Sequence, residues 1–309
     1  MSSNERFNPM DYPLAMSWPK RLTRGSGWVA HTPFAMALVD MCRPDRIVEL
    51  GTLSGDSYCA MCQAVEILKL PTRCTAIDNW EGDPHNGMYG PDVLKELRDH
   101  HDVQYSSFSN LLQMTFDSAA PQFKEGSIDL LHIDGFHTYD AVKGDYENWL
   151  PKLSARGVVL FHDTQMRHKD FGVWKLWEEV SAKYPNFEFH HSAGLGVLAV
   201  GAEAPPAVLK FLETARREPD AVRTYFKHVG DVVETSRLAL TMIDNVQRLQ
   251  TLLDQRKHVI GETVHQSLPG EPFTAPLRYM ERMMNDVQAL TLADLKQRGV
   301  QVRVVPPQQ

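Results

Sequence analysis

The chain has 309 residues, of which 43% are hydrophobic and 23% charged, enough for one large α/β core and an appendage. Its formal net charge of -7 argues against nucleic acid or an anionic membrane as a partner, because both attract clustered Lys and Arg. No apolar run approaches the ~18 residues of a membrane span, and the first residues do not resemble a signal peptide. We therefore expect a cytoplasmic protein that binds neither membrane nor nucleic acid.

The first 45 residues form a leader and one helix. Up to Trp28 the leader is irregular and rich in Pro, Asn, Arg and Ser, and we expect it to act as a lid over a site. Apolar residues then recur at helical spacing from His31 to Met41, and Pro44 follows as a stop.

The central part of the sequence alternates short β-branched runs with helical stretches, which is typical of a parallel sheet covered on both faces. Only three residues, 192–194, join the last two strands, so these two strands must be antiparallel. The pattern predicts a Rossmann-like domain over 46–204, with a seven-stranded, mostly parallel sheet whose last strand is antiparallel. We place strands at 46–50, 73–78, 103–106, 128–134, 158–162, 187–190 and 195–200, and helices at 57–68, 91–100, 110–123, 139–150 and 173–183.

A helical extension is predicted over 205–309, after the Pro205–Pro206 pair. Its apolar residues have near-heptad spacing, and they could pack on the Rossmann-like domain or on a partner chain, which includes a homo-oligomer formed through these helices. These residues are Val222, Phe226, Val229, Val233, Leu240, Ile243, Val246, Leu249 and Leu253.

Cys59 and Cys62 form a C-x-x-C pair, which could indicate a redox pair or half of a zinc site. They fall inside a predicted helix that starts near Asp56, whereas redox cysteines favour the amino terminus of a helix. We interpret both as buried, reduced thiols.

The segment VELGTLSGDS, residues 48–57, has the composition of a cofactor-binding turn between a strand and a helix. No Lys follows Gly55, which disfavours a P-loop, and Leu53 stands where a dinucleotide fingerprint has its second Gly. The remaining pattern, Glu49 followed by Gly51 and Gly55, resembles the first motif of class I methyltransferases, which bind S-adenosylmethionine.

Asp78 closes the second predicted strand and fits as the ribose ligand, because a carboxylate can accept hydrogen bonds from both ribose hydroxyls. Asn79, Ser107 and Asp134 complete the predicted cofactor-binding residues. The stretch from Asn79 to Gly90, rich in Gly and aromatic residues, is interpreted as a lid near the cofactor or the acceptor.

Acidic residues and histidines follow the fourth and fifth predicted strands, in HIDGFH and FHDT. Since these strands should be neighbours, Asp134 and Asp163 can converge on one hard cation such as Mg²⁺. His137 is the candidate general base, because an imidazole titrates near neutral pH. His132 alternates away from Asp134 along the strand, so we expect it to be packed in the interior.

Together, GTLSGDS, IDNWEGDPH, LHIDGFHTYDAV and VVLFHDT resemble the metal-dependent branch of class I O-methyltransferases, over about residues 46–201. That branch includes macrolide sugar O-methyltransferases and a component of cephamycin biosynthesis. The resemblance implies metal-binding roles for Asp134 and Asp163 and a base role for His137. His162 stands where these relatives have an acidic residue; it either ligates, which favours Mn²⁺ or a softer ion over Mg²⁺, or points away.

The leading hypothesis is thus a metal-dependent O-methyltransferase that acts on a hydroxyl of a sugar or glycosylated small molecule. A nicotinamide-dependent oxidoreductase and a noncatalytic partner of a glycosyltransferase are the alternatives.

Overall fold

A computed structural model describes residues 6–23, 27–85, 87–168 and 170–267, with no side-chain description for 253–267. It confirms the predicted architecture. Seven strands form one sheet: β1 Arg46–Leu50, β2 Arg73–Asp78, β5 Ser109–Gln113, β6 Ile128–Ile133, β7 Leu153–His162, β8 Asn186–Phe189 and β9 Leu195–Ala199. Two short strands, β3 Gly82–Asp83 and β4 Gly87–Met88, form a separate hairpin. The order in the sheet is β5-β2-β1-β6-β7-β9-β8, and all neighbours are parallel except β9, which is antiparallel to both β7 and β8.

Helices cover both faces of this sheet, because successive strand residues alternate between two hydrophobic layers. Ile47 of β1 packs in one layer and Val48 in the other. The helices are α1 Thr32–Cys42, α2 Asp56–Leu68, α3 Asp92–Gln104, α4 Phe116–Ala119, α5 Tyr139–Trp149, α6 Val173–Ser181, α7 Pro206–Arg217 and α8 Pro219–Ser267. The two thiols of the C-x-x-C pair lie in α2 as buried free cysteines, as expected.

Two predicted elements between residues 103 and 123 are wrong. The proposed strand 103–106 includes the end of α3, an amphipathic helix that buries Leu94 and Leu97 and leaves Val103 exposed. The strand lies instead at Ser109–Gln113, overlapping the start of the proposed helix 110–123, and its Leu111 pairs with Ala76. Here burial against β2 outweighs the helical spacing of the sequence.

The chain divides into two compact units, 1–239 and 240–309, and the predicted domain boundary at 204 stays a prediction. In the first unit, Phe211 of α7 and Phe226 of α8 pack against Phe34 of α1, each with ring centroids 5.2 Å apart. This aromatic packing joins the leader helix and the start of the predicted extension to the Rossmann-like core.

Helix α8 continues from the first unit into residues 240–267 of the second. Its residues Leu240, Ile243 and Leu249 are exposed, whereas the side chain of Leu253 and all of 268–309 lie outside the described residues. Association through these helices stays a prediction. Within the described part of the chain, no helix has the length and apolar character needed to cross a bilayer.

A half-buried carboxyl on α5, Asp145, makes the stability of the fold depend on pH. Asp145 lies against Gly135, and burial, with the charge of Asp117, raises the pKa of Asp145 to about 7. A raised pKa means that the folded state binds a proton more tightly than the unfolded chain, where the pKa is about 3.9. The free energy of unfolding should therefore fall as pH rises from about 4 to about 7 and then level off, a loss of roughly 2 to 4 kcal/mol from this group.

Asp145→Asn should remove that loss. We expect urea unfolding at pH 8 to show the variant more stable than the parent by roughly 2 kcal/mol or more, with the difference vanishing near pH 4. Asp140→Asn, an exposed position on the same helix, is the matched control. Equal stability of the Asp145 variant and the parent at both pH values would show that the carboxyl is not strained in the folded state.

Candidate active site

The carboxyl ends of β1, β2, β6 and β7 border one cavity of about 460 Å³. This is the edge of a doubly wound sheet at which ligands bind. Most of the predicted site residues line the cavity: Gly51, Asp78, Asn79, Asp134, His137, His162 and Asp163.

The turn after β1 passes so close to β6 that it requires glycine at position 51. Gly51 has a φ of 83°, and a Cβ at this position would lie 2.0 Å from the carbonyl oxygen of Asp134. The backbone N–H of Asp134 donates to the carbonyl of Leu50 at 2.8 Å, which fixes the two strand ends together. Gly55, with a φ of 80°, is the residue before α2. The start of this helix also requires glycine, because a Cβ at position 55 would collide with the side chain of Leu97.

Gly51→Ala should therefore disrupt both the turn and the position of Asp134. We expect a loss of more than about 2 kcal/mol of unfolding free energy and the loss of cofactor binding, because backbone strain and a collision add up. Gly126→Ala is the control: its φ is 67°, yet nothing lies within 4 Å of the added Cβ. Equal effects of the two substitutions in thermal unfolding would mean that the contact with Asp134 is unimportant.

Asp78 is the last residue of β2, as predicted, but its carboxylate already accepts hydrogen bonds from three backbone N–H groups. Oδ2 accepts hydrogen bonds from the N–H groups of Thr52 and Leu53 at 2.8 and 2.9 Å, and Oδ1 accepts from Trp80 N–H at 2.7 Å. A carboxylate has about four acceptor positions, so one remains for a ligand. Asp78 thus fixes the glycine turn first, and binding both ribose hydroxyls would require it to release a backbone N–H.

Glu49 does not face the cavity, unlike the expectation for a cofactor-binding residue. Its side chain is fully buried, and its Oε2 lies 2.7 Å from Nδ1 of His132. The indole N–H of Trp28 donates to Nε2 of the same histidine at 3.2 Å. Burial raises the pKa of Glu49, although its hydrogen bond with His132 works against this. His132 is an interior residue, as predicted, and Glu49 belongs to the same buried network.

Ser107 lies at the wrong edge of the sheet for its predicted role. It precedes β5, and its carbonyl accepts a hydrogen bond from Arg73, the first residue of β2. The error follows from the misplaced strand at 103–106: a residue thought to follow a strand actually precedes one.

Asp134, His162 and Asp163 meet where β6 and β7 end. Nδ1 of His162 lies 3.2 Å from Oδ1 of Asp134 and 3.5 Å from Oδ2 of Asp163. One ligand atom from each side chain falls within 4.8 Å of the others, and Asp163 reaches this position with a φ of 62°, which is uncommon for a residue other than glycine. We call these three residues the acid-pair site.

The ring of His162 points toward the two acids. Its Nε2 lies 3.1 Å from the carbonyl oxygen of Ser192, which can only accept, so Nε2 carries a hydrogen. In the neutral ring, Nδ1 then holds a lone pair directed at two carboxylates. Only a proton or a metal cation between them relieves this repulsion.

Ser192 lies in a strained turn that presents its carbonyl to this ring. Ser192, Ala193 and Gly194 all have positive φ, at 46°, 67° and 93°. Strain of this kind is concentrated at functional sites, where surrounding contacts hold it. Ala193 also lines the cavity.

His137 lies beside the acid-pair site. Its Nε2 is 2.9 Å from Oδ2 of Asp163 and 3.9 Å from Oδ1 of Asp134, and its ring stacks on Phe171 with centroids 4.7 Å apart. Burial lowers the pKa of His137, but the hydrogen bond and charge of Asp163 outweigh this and raise it. The ring is thus placed to take up a proton in the cavity.

Without a bound cation, the charges of this cluster balance through protons. Burial opposes ionisation of Asp134 and Asp163, yet the adjacent His162 lowers the pKa of both carboxyls. Burial likewise disfavours the charged His162, but the two carboxylates raise its pKa well above the ordinary value. Two negative carboxylates therefore face two protonatable imidazoles, and a divalent cation could replace the two protons at equal net charge.

Several residues that the sequence did not predict also line the cavity, among them four aromatic residues: Trp28, Phe116, Phe136 and Phe171. The leader contacts the turn after β1 and the start of α2. Arg21 donates from Nε to the carbonyl of Ser54 at 2.6 Å, and the N–H of Thr23 donates to Oδ1 of Asp56 at 2.7 Å. The sequences of these segments do not show which aromatic residues line the cavity and which lie on the surface.

Comparison with known proteins identifies the central segment. Residues 48–164 match a family described as "Methyltransferase domain". Residues 48–164 are thus similar to a methyltransferase domain. This similarity agrees with the enzyme class expected from the glycine turn and disfavours the nicotinamide-dependent alternative.

The chain is also 40% identical over 277 residues to the uncharacterized protein y4gI of Sinorhizobium fredii (strain NBRC 101917 / NGR234). That match covers 88% of this chain but only 30% of the relative, so the chain spans less than a third of the relative's length. Among solved structures, a putative caffeoyl-CoA O-methyltransferase from Staphylococcus aureus is 14% identical, with a TM-score of 0.44, over 65% of this chain and 93% of that one. A methyltransferase from Geobacter sulfurreducens is 16% identical, with a TM-score of 0.42, over 55% and 78%.

Proposed function

We propose that the methyltransferase domain transfers the methyl group of S-adenosylmethionine to a hydroxyl of a sugar or glycosylated small molecule, with the help of a divalent metal ion. One observation carries the proposal: Asp134, Asp163 and His162 converge from adjacent strand ends beside His137, on the wall of the cavity that the glycine turn borders.

The cofactor would be held by the turn after β1 and by the end of β2. Backbone groups at Gly51 and Leu53 border the cavity, and the remaining acceptor position of Asp78 can take one ribose hydroxyl. Asn79 lies next to it on the same wall. When bound, S-adenosylmethionine supplies a methyl group on a positively charged sulfur, so a negatively charged wall suits it.

The acid-pair site fits a divalent metal ion. Two carboxylates and one imidazole offer three donors, and the hydrogen bond from His162 to the Ser192 carbonyl directs the Nδ1 lone pair toward the acids. Because an imidazole replaces one carboxylate oxygen, we expect Mn²⁺ to compete well with Mg²⁺ here. A bound cation of this kind lowers the pKa of a coordinated hydroxyl.

His137 would act as the general base. Its ring is buried against Phe171 and next to Asp163, which favours the protonated form that results from accepting the hydroxyl proton. Proton acceptance by a positioned side chain contributes typically ~10²- to 10⁴-fold to rate. Asp163 therefore serves both the metal ion and the ring of the base.

The acceptor is proposed as sugar-like on two grounds. The family branch that the sequence resembles includes sugar O-methyltransferases, and the cavity combines aromatic faces at Tyr89, Phe136 and Phe171 with carboxylates at Asp83 and Asp134. Aromatic faces pack on the C–H surface of a pyranose, while carboxylates accept hydrogen bonds from its hydroxyls.

The test is a methyl-transfer assay with metal-free protein and a panel of glycosylated metabolites, free sugars and catechols. We expect product only from the glycosylated or sugar acceptors, with activity abolished by chelation and restored by Mg²⁺ or Mn²⁺. Full turnover after exhaustive removal of metal would refute the metal role. Methylation of catechols alone would refute the acceptor class.

A further inference from the structure

A second group of metal-binding side chains lies beside the acid-pair site. Asp83 and His85 come from the 79–90 loop and His137 from the loop after β6, and one ligand atom of each lies within 4.8 Å of the others. Nδ1 of His85 is 3.3 Å from Nδ1 of His137. We call Asp83, His85 and His137 the loop site.

The distal nitrogens of both rings face carboxylates. Nε2 of His85 lies 2.7 Å from Oδ1 of Asp170, and Nε2 of His137 lies 2.9 Å from Oδ2 of Asp163. Ionised carboxylates only accept hydrogen bonds, so each Nε2 is a donor. If both rings are neutral, the two Nδ1 lone pairs point at each other across 3.3 Å, a contact that needs a proton or a metal cation between them.

The spacing and surroundings suit a tetrahedral metal ion. Two nitrogen ligands at ~2.0–2.1 Å from such an ion are about 3.3–3.4 Å apart. A ligating histidine usually donates its other N–H to a carboxylate, which is the arrangement that Asp170 and Asp163 provide. The side chains of His85 and His137 are 4% and 6% exposed, and Phe171 stacks on both, with centroids at 4.4 and 4.7 Å.

We propose that Asp83, His85 and His137 form a second metal site, selective for Zn²⁺ or a similar transition-metal ion. Two imidazoles and one carboxylate are ligands that Zn²⁺ prefers, whereas Mg²⁺ prefers oxygen. The ion ties the 79–90 loop to the end of β6 through His137.

Occupancy of this site controls the proposed reaction. A zinc-bound His137 uses its Nδ1 lone pair for the ion and keeps the hydrogen on Nε2, so it cannot accept the hydroxyl proton. Zn²⁺ is thus an inhibitor, a consequence that rests on the base role given to His137 under the proposed function.

Binding is tested on the full chain in excess Mg²⁺, with Zn²⁺ titrated by calorimetry and with Co²⁺ as a visible probe. We expect one tight Zn²⁺ and the absorption of four-coordinate Co²⁺. His85→Phe keeps the ring stacked on Phe171 but removes the nitrogen ligand, so it should weaken Zn²⁺ binding more than about 100-fold. His228→Phe, at an exposed histidine of α8, should not.

His162→Gln separates the two sites, because it alters only the acid-pair site and should leave the tight Zn²⁺ in place. No tight Zn²⁺, or Zn²⁺ binding that survives His85→Phe and is lost in His162→Gln, would overturn the loop site. A zinc-edge anomalous map of the wild-type protein checks the same point without any variant.

The rate of methyl transfer with and without Zn²⁺ then separates this proposal from the proposed function. Strong inhibition of the wild type by Zn²⁺ that is lost in His85→Phe supports both the loop site and the base role of His137. Zn²⁺ located at the loop site without inhibition supports the site and contradicts His137 as the base.

Discussion

Asp163→Asn should lower kcat/KM for methyl transfer by at least about 1,000-fold at a fixed, low concentration of Mg²⁺. The substitution removes a charge that helps hold the cation, and a Lewis-acid metal ion contributes several kcal/mol to stabilising the reaction's transition state. Asn tolerates the left-handed backbone conformation of Asp163, whose φ is 62°, so the fold should survive.

Steady-state rates across a range of Mg²⁺ and Mn²⁺ concentrations measure this effect. We expect the concentration of ion needed for half-maximal rate to rise sharply in Asp163→Asn and to stay unchanged in Asp140→Asn, an exposed acid on α5. A variant as active as the parent at low metal would contradict the role of Asp163.

His137→Gln should lower kcat by ~10²- to 10⁴-fold while leaving S-adenosylmethionine binding intact. Glutamine can still donate a hydrogen bond toward Asp163, which limits structural damage, but it cannot accept a proton. His137 belongs to the loop after β6 and not to the glycine turn, so the dissociation constant of the cofactor should change little.

Calorimetric titration of S-adenosylmethionine, together with single-turnover rates, distinguishes these effects. His168→Gln, at an exposed histidine in the loop after β7, is the control. Loss of cofactor affinity in His137→Gln, with normal chemistry once the cofactor is bound, would assign His137 to binding rather than to catalysis.

The sequence predicted the sheet and much of the site because both depend on short-range patterns. Buried parallel strands read as continuous apolar runs, and the residues after them meet at one edge whatever the loops do. That reasoning brought Asp78, Asp134 and Asp163 to one cavity, as the structure confirms.

The features that the sequence did not predict depend on contacts between distant segments of the chain. Glu49 has the sequence spacing of a cofactor ligand, yet it is buried against His132, which in turn accepts a hydrogen bond from Trp28. The contact between His85 and Asp170 joins residues 85 positions apart, so no local sequence pattern predicts it. The strand at 109–113 likewise became evident only through its pairing with β2.

The orientation of the His162 ring also depends on a contact with a distant segment. The sequence left open whether this ring ligates or points away, because the answer depends on the carbonyl of Ser192 in a turn 30 residues later. That turn fixes Nε2 as the donor and so directs Nδ1 to the acids.

The most direct test is a crystal structure with Mn²⁺ and S-adenosylhomocysteine, read through the anomalous signal of manganese. We predict one peak at about 2.0–2.4 Å from carboxylate oxygens of both Asp134 and Asp163, with Nδ1 of His162 as a further ligand. A map in which no ion contacts both carboxylates would contradict the shared-cation site and the chemistry built on it.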